Sequence, residues 1–420
     1  MAIKNGNRGD SLSRFSKLQP VRASGPFALD ATFRADPDSK KVNLLIGAYR
    51  DGEGNPWQLT SVANAKKTLK IETCNHEYLP LVGSIELLEA ARELVFGDEL
   101  LQQANNSIAS IQTISGTGAN SVIAQFAQTH LHPANIWLPD PTWENHYSIW
   151  DQNAPNVTQR RYPYYNDCDR SFDFQGMMRV LQEDAQENDA ILLHACAHNP
   201  TGLDPTREQW QEIAILCNEK KLFVIFDSAY QGFASGDLDR DAWAMRHFFR
   251  YPNIEFAVCQ SFSKNLGLYG ERVGALHVAT SRTCSPPAGQ CVQGHLIDIQ
   301  RSMCSMAPLF GARVATAVLL QPDLREMWKT DLEVMSGRIK AMRKALYDEL
   351  VILRTRGTWE HIVEQTGMFS YTGLREHQVA ELQDVYHVYL LPSGRISLCG
   401  LTAANVKYVA RAIHSVVAAE

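Results

Sequence analysis

Between about residues 56 and 320, short apolar runs alternate with longer amphipathic stretches, and this alternation predicts an α/β fold. Ile111-Gln112-Thr113-Ile114 reads as a strand, followed by Ser115-Gly116-Thr117-Gly118 and a helical pattern from Ala119. Residues 190–196 form a second run that leads into His198-Asn199-Pro200-Thr201-Gly202, a clear turn. Residues 222–226 end at Asp227, residues 256–259 precede Ser261-Phe262-Ser263-Lys264, and residues 273–278 make a further strand. Several polar motifs therefore begin where an apolar run stops. Ligands of open α/β sheets bind at the carboxyl ends of the strands, so Ser115, Asn199, Asp227 and Lys264 are predicted along one edge of a single sheet. The last 90 or so residues differ: a long amphipathic helix (about 324–355), short strands around 367–371 and 388–391, and a final helix from about Thr402. The predicted division is an N-terminal arm over 1–22, a large domain over 56–330, and a small α/β domain from 23–55 with 331–420.

Composition narrows the class. A chain of 420 residues is too long for one simple core, and 45% hydrophobic with 20% charged residues is ordinary for a soluble enzyme. A net charge of -6 argues against a nucleic-acid or polybasic membrane surface, and no apolar stretch is long enough to span a bilayer. The nine cysteines are odd in number and contain no C-x-x-C pair, which predicts reduced thiols. The sequons at Asn105 and Asn156 therefore carry little weight. The first residues are polar and basic (Lys4, Arg8, Arg14, Lys17, Arg22) without the apolar core of a secretory signal. Their serines and arginines would suit a mitochondrial presequence, but the shortness of the segment and Asp10 point to a cytoplasmic arm.

The candidate chemistry centres on Lys264. A lysine after a buried strand, flanked by Ser261 and Ser263 and followed by Arg272, suits a Schiff-base amine beside a phosphate site. On its own, such a lysine is more often a solvated surface charge. Asp227 at a strand mouth needs a cationic partner if buried; a protonated pyridine nitrogen is one, and the alternative is a helix cap. Ser115-Gly116-Thr117-Gly118 at a strand-to-helix junction offers N–H groups to a phosphate, or is simply a turn. No G-x-G-x-x-G or P-loop pattern accompanies it. His194, Cys196 and His198 alternate, so all three could share one strand face, but that spacing does not suit a tetrahedral metal and no fourth ligand is evident. No metal is expected.

Six stretches in order carry a resemblance: residues 75–80, 141–146, 194–202, 227–236, 261–272 and 391–395. Through them the chain resembles the class I, fold-type I, pyridoxal-phosphate aminotransferases, specifically the eukaryotic branch of the aspartate aminotransferase family, from about residue 15 onward. The resemblance implies that Lys264 holds pyridoxal 5'-phosphate as an internal aldimine and, once freed, moves the proton at the substrate α-carbon. It implies that Asp227 pairs with the pyridine nitrogen, supported by His146, that Asn199 and Tyr230 bond the 3'-oxygen, and that Trp143 stacks on the ring. Ser115, Gly116, Thr117, Ser261, Ser263 and Arg272 would hold the phosphate, joined by Tyr78 from a neighbouring subunit. Arg395 would fork the substrate α-carboxylate and Arg301, again from the partner, a distal carboxylate, a geometry lysine cannot reproduce. Gly47, Asn199, Trp143 and Ser305 complete the implied substrate set.

These assignments imply a homodimer with shared active sites that exchanges amino groups between aspartate or glutamate and 2-oxo acids such as 2-oxoglutarate by a ping-pong route. The chain departs from the family pattern just after Arg301, where Cys304 replaces a usual aromatic and Met306 a usual asparagine. That exchange removes hydrogen bonding and adds flexible apolar surface near the distal carboxylate. It leaves open an aromatic or specialised-pathway transaminase using glutamate as one partner. A lyase or decarboxylase, and a non-catalytic binding role of the same fold, are more distant alternatives.

Overall fold

The computed structural model describes residues 13–16, 18, 25–69, 75–104, 106–283 and 288–418. Most of the N-terminal arm, and Asn105 of the first sequon, lie outside them. The strands in chain order are β1 Val42–Asn43, β2 Ile108–Ile114, β3 Asn135–Asp140, β4 Thr158–Pro163, β5 Tyr165–Asn166, β6 Ser171–Phe172 and β7 Ala190–His194. They continue with β8 Phe223–Ser228, β9 Phe256–Ser261, β10 Val273–Ala279, β11 Phe369–Tyr371, β12 Val388–Tyr389 and β13 Arg395–Ser397.

Seven of these build one sheet in the order β2-β10-β9-β8-β7-β3-β4. β4, β3, β7, β8 and β9 run parallel, each to its neighbour, while β10 is antiparallel to both β9 and β2. Every residue of β7, β9 and β10 is buried, which explains their unbroken apolar runs: helices cover both faces. The topology also decides where the loops go. Since β10 alone runs backwards, its first residue lies at the edge where β2, β3, β7, β8 and β9 end. The predicted gathering of polar motifs on one edge is thus built, and the backward strand brings the residue before Val273 to it as well.

A large apolar cluster lies on one side of the sheet and reaches into the C-terminal part of the chain, from Leu59 and Val62 through Trp328, Leu332 and Ile339 to Val409 and Ile413. Its spine is the Pro322–Ile352 helix, which opens with Pro at a first-turn position where a missing N–H costs nothing. Residues 42–45 belong with the C-terminal elements: β1 pairs parallel with β12, and Ser397 N–H donates to Leu44 O at 2.8 Å. Asp36 adds bonds of 2.7 Å to both His387 Nδ1 and Tyr389 Oη. β11 and β13 pair antiparallel beside them.

Two local expectations change. The helix after β2 begins at Ser115 rather than Ala119, so Ser115 to Gly118 are its first turn and not a preceding loop. The final helix begins at Val406, four residues beyond Thr402, because Thr402 and Asn405 cap one another, Thr402 N–H to Asn405 Oδ1 at 2.8 Å and Asn405 N–H to Thr402 Oγ1 at 3.2 Å.

Candidate active site

The edge is assembled from five loops. Ser115, just after β2, has φ of 56°, a left-handed conformation that turns its side chain back toward β9. Its Oγ lies 2.9 Å from Ser261 Oγ and 2.8 Å from Ser263 Oγ. Arg272, also left-handed at φ 56°, donates Nη1–H to Ser263 Oγ at 3.3 Å and to Tyr269 O at 3.0 Å. The close approach of these segments requires Gly274: a Cβ there would stand 2.6 Å from Gln260 O and 2.7 Å from Ser115 Cα. The helix that starts at Ser115 has no side-chain cap, so the first N–H groups, with Gly116 and Thr117, remain for an outside acceptor. Three hydroxyls, a guanidinium and an uncapped helix N-terminus form a tetrahedral-anion cradle.

Lys264 follows β9 and is half-buried. Its Nζ lies 5.3 Å from the centroid of the Tyr230 ring. Burial lowers the amine below the usual lysine value; Asp227 pulls it back up and Arg272 pushes it down further. A lysine held this way is closer to its nucleophilic neutral form than a surface one.

Asp227 occupies the end of β8, paired across the sheet with His194 and Cys259. His146, fully buried on the Asn145–Asn153 helix, places Nε2 3.0 Å from Asp227 Oδ2. Burial works to raise the Asp227 pKa, but the hydrogen bond and charge of His146, then His194 and Lys264, hold it below the ordinary carboxylate value. The site therefore presents a buried anion that still has one oxygen to offer. Trp143 packs its ring edge-on to His146, with centroids 5.2 Å apart.

The histidine network extends further than sequence reasoning reached. Thr142 Oγ1 lies 2.9 Å from His146 Nδ1 and 3.3 Å from His194 Nε2, and Asn199 N–H donates to His194 Nδ1 at 3.0 Å. Thr142 was not singled out; its spacing of four residues before His146, across a helix start, is the signal that could have found it. The alternation of His194, Cys196 and His198 does not put them on one face. β7 stops at His194, the chain bends, the two imidazoles stack at 4.2 Å, and Cys196 is buried in the apolar cluster instead. Burial and then the neighbouring His146 lower His194 to about 3, and burial and His194 hold His198 well below the usual histidine value, so both rings are neutral. His146, His194 and Asp227 have ligand atoms within 4.8 Å of one another. Both nitrogens of His146 and of His194 are engaged by the bonds just given, so the cluster is a hydrogen-bonded chain.

Asn199 is 9% exposed and its Oδ1 has no hydrogen-bond partner. Arg395, at the start of β13, is 6% exposed; Nη2–H donates to Leu45 O at 2.8 Å while Nε–H is unpartnered. Burial lowers Arg395 to about 10. Its Cζ lies 4.2 Å from the Phe369 ring centroid, and Gly47 is the residue that makes room for that ring, since a Cβ would stand 2.6 Å from Phe369 Cζ. A buried cation with a free donor and no ion pair among the described residues suits a carboxylate from outside.

Tyr78 and Arg301 are not brought to this edge. Tyr78 is 81% exposed, and Arg301 is exposed and forms no ion pair among the described residues. Arg301 sits in the last turn of the Gly289–Cys304 helix, whose end is sharp. Ser305 has φ 67° and ψ -61°, and Met306 N–H donates to Cys304 O at 2.8 Å, a strained γ-turn.

The geometry fits pyridoxal phosphate as a whole: a phosphate cradle, a half-buried amine, a carboxylate for a ring nitrogen and the Asn199 side-chain amide beside them. Comparison with known proteins agrees. The family model described as aminotransferase class I and II matches residues 39–413. An L-tyrosine:2-oxoglutarate aminotransferase of Aspergillus ustus is 48% identical over 96% of this chain and 78% of its own length. A cytoplasmic aspartate aminotransferase of Schizosaccharomyces pombe is 44% identical over 96% of this chain and 98% of its own. Among solved structures, the cytoplasmic aspartate aminotransferase of Saccharomyces cerevisiae superposes with a TM-score of 0.93 at 41% identity, covering 96% of this chain and 98% of that one.

Proposed function

The chain belongs to the aminotransferase class I and II family, and we propose that it transfers amino groups between aspartate or glutamate and 2-oxo acids such as 2-oxoglutarate, with pyridoxal phosphate as cofactor. The observation that carries the reading is the half-buried Lys264 amine, depressed in pKa, on the same sheet edge as Asp227 and the Ser115–Ser261–Ser263–Arg272 cradle. The cofactor supplies an electron sink for the charge left when the substrate α-proton departs. The chain's residues do the rest. Arg395 takes the α-carboxylate and so fixes the amino group toward Lys264. Lys264 would take up and return the α-proton. Asp227, kept ionised by His146, would pair with the ring nitrogen, Asn199 and Tyr230 would bond the ring oxygen, and Trp143 would cover the face.

The division into a cofactor domain over 56–330 and a smaller domain from 23–55 with 331–420 is supported by the pairing of β1 with β12, although the apolar cluster runs across the boundary. A homodimer is supported by Tyr78 and Arg301: both are exposed here, and each has a role at this edge only if a second copy delivers it. A cytoplasmic location is supported by the cytoplasmic relatives. No helix among the described residues is long and apolar enough to cross a membrane.

Dicarboxylic substrates are favoured by the two arginines and by the aspartate aminotransferases at 41–44% identity. The relative named for tyrosine, together with Cys304 and Met306, brings aromatic substrates into the same experiment. Protein loaded with pyridoxal phosphate is mixed separately with aspartate, glutamate, phenylalanine and alanine, and loss of the visible band is followed. Rapid conversion by aspartate and glutamate alone is expected. Fast conversion by phenylalanine replaces the dicarboxylic reading with the aromatic one, and absence of any visible band overturns both.

A further inference from the structure

Asp204 lies in the segment after Asn199, away from the ring-binding groups, and its carboxylate is fully used. Oδ2 accepts from Ala197 N–H at 2.8 Å, Oδ1 from His198 N–H at 3.0 Å, and Oδ2 again from Thr366 Oγ1–H at 2.9 Å. The first two bonds close the loop that presents Asn199, bending it at Ala197, a left-handed residue with φ 50°. The third comes from the far side of the chain, from the turn that leads into β11. A backbone bond runs alongside, Thr366 N–H to Gly202 O at 2.6 Å. Contact is tight here: a Cβ on Gly367 would stand 2.4 Å from Ala197 Cβ, and one on Gly202 would stand 2.8 Å from Thr366 O.

The Thr366 turn is itself fastened. Arg343, 2% exposed, donates to Ile362 O, Thr366 O, Gly367 O and Phe369 O, so one guanidinium holds the turn through carbonyls alone among the described residues. Phe369 is the residue whose ring lies under Arg395. A continuous path therefore joins Asn199, which faces the ring oxygen, to Arg395, which faces the carboxylate: Asn199 loop, Asp204, Thr366, Phe369, Arg395.

We propose that the Asp204–Thr366 hydrogen bond is a positioning latch that sets the Asn199 loop relative to the Arg395 platform. Neither residue touches substrate or cofactor; each acts through the loop it holds. The inference rests on the cofactor reading above. The decisive variant is Thr366→Val, which keeps the shape and the backbone bond to Gly202 but removes the hydroxyl. Thr366→Ser keeps the hydroxyl and is the control.

In the cofactor-free protein, Thr366→Val should speed amide exchange at Ala197 and His198 while Thr366→Ser leaves it unchanged. In the loaded protein, Thr366→Val should raise the pH midpoint of the visible band, because a displaced Asn199 no longer favours the ionised ring oxygen. It should also raise KM for the amino acid by about 10-fold, the usual scale for losing a hydrogen bond to a charged group, with a smaller change in kcat. Unchanged exchange and an unchanged midpoint in Thr366→Val, even with a lowered melting temperature, would reduce the bond to ordinary packing and overturn the proposal. A wild-type protein with no visible band would instead overturn the cofactor reading, and the exchange measurement would still decide whether Thr366 holds the loop.

Discussion

His146 Nε2 stands 3.0 Å from Asp227 Oδ2, and its other ring nitrogen is taken by Thr142 at 2.9 Å. The imidazole is thus clamped at both ends, fully buried, and fixes which way the Asp227 carboxylate faces. His146→Ala leaves that carboxylate with a buried oxygen and no donor. Loss of a hydrogen bond to a charged group costs about 1.5–3 kcal/mol, so kcat/KM should fall roughly 10- to 100-fold. Steady-state kinetics at neutral pH checks this; a wild-type value would show that Asp227 is oriented by the strand alone.

Lys264→Ala should abolish transamination, because one side chain supplies both the covalent attachment and the proton carrier. Near-normal turnover in that variant would sink the mechanism.

The same lysine predicts a pH dependence of folding. Its pKa in the folded chain lies below the ~10.4 of a solvated lysine, so between those values the unfolded chain keeps a proton that the folded chain has released. Raising pH through that window stabilises the folded state. Without cofactor, Lys264→Met should be more stable than wild type near neutrality, and the difference should shrink as pH approaches about 10. Denaturant midpoints across that range test it; a constant gap would mean that the folded amine titrates like a solvated one.

Arg301→Ala should cost dicarboxylic substrates about 2–5 kcal/mol in kcat/KM, the scale for removing one partner of a buried charge pair. Alanine, with no distal carboxylate, should change little. Equal losses for both substrates would assign Arg301 a structural role at the end of its helix.

Trp328 is fully buried on the long Pro322–Ile352 helix and donates Nε1–H to Asn265 O at 2.7 Å, one residue past Lys264. Trp328→Phe keeps most of the apolar volume but leaves that carbonyl unsatisfied. About 1–3 kcal/mol of stability should be lost. Chemical denaturation with an unchanged slope would verify it, while a variant as stable as wild type would place water or another donor at Asn265 O.

The sheet and its functional edge were legible because the central strands open as apolar runs that give way to distinctive polar groups, as Phe223 to Phe226 of β8 precede Asp227 and β9 leads to Lys264. The Ser115 helix start was misread by four residues, since glycines at 116 and 118 look like loop in sequence but here relieve crowding against Ser261 and Ile114. The histidine alternation misled for a related reason: period-two reasoning holds only while the strand continues, and β7 stops at His194. What no local pattern could give are partnerships across long sequence separations. Thr366 meets Asp204, Arg395 rests on Phe369, and Arg343 gathers four carbonyls, and none of these partnerships shows in either partner's own neighbourhood.

The reversed strand β10 has one more implication. The chain leaves the working edge at the end of β9 and re-enters the sheet at Val273, so the amine of Lys264 and the guanidinium of Arg272 hang from a single short connector whose two ends are fixed by strand pairing. That connector is a ruler. Side chains along it can be exchanged while its span stays constant, but adding or deleting a residue between Phe262 and Glu271 shifts the spacing between attachment point and anion cradle with nowhere in the rigid sheet to absorb the change. Tolerance to substitution and intolerance to length change should therefore part company in this stretch more sharply than anywhere else along the edge.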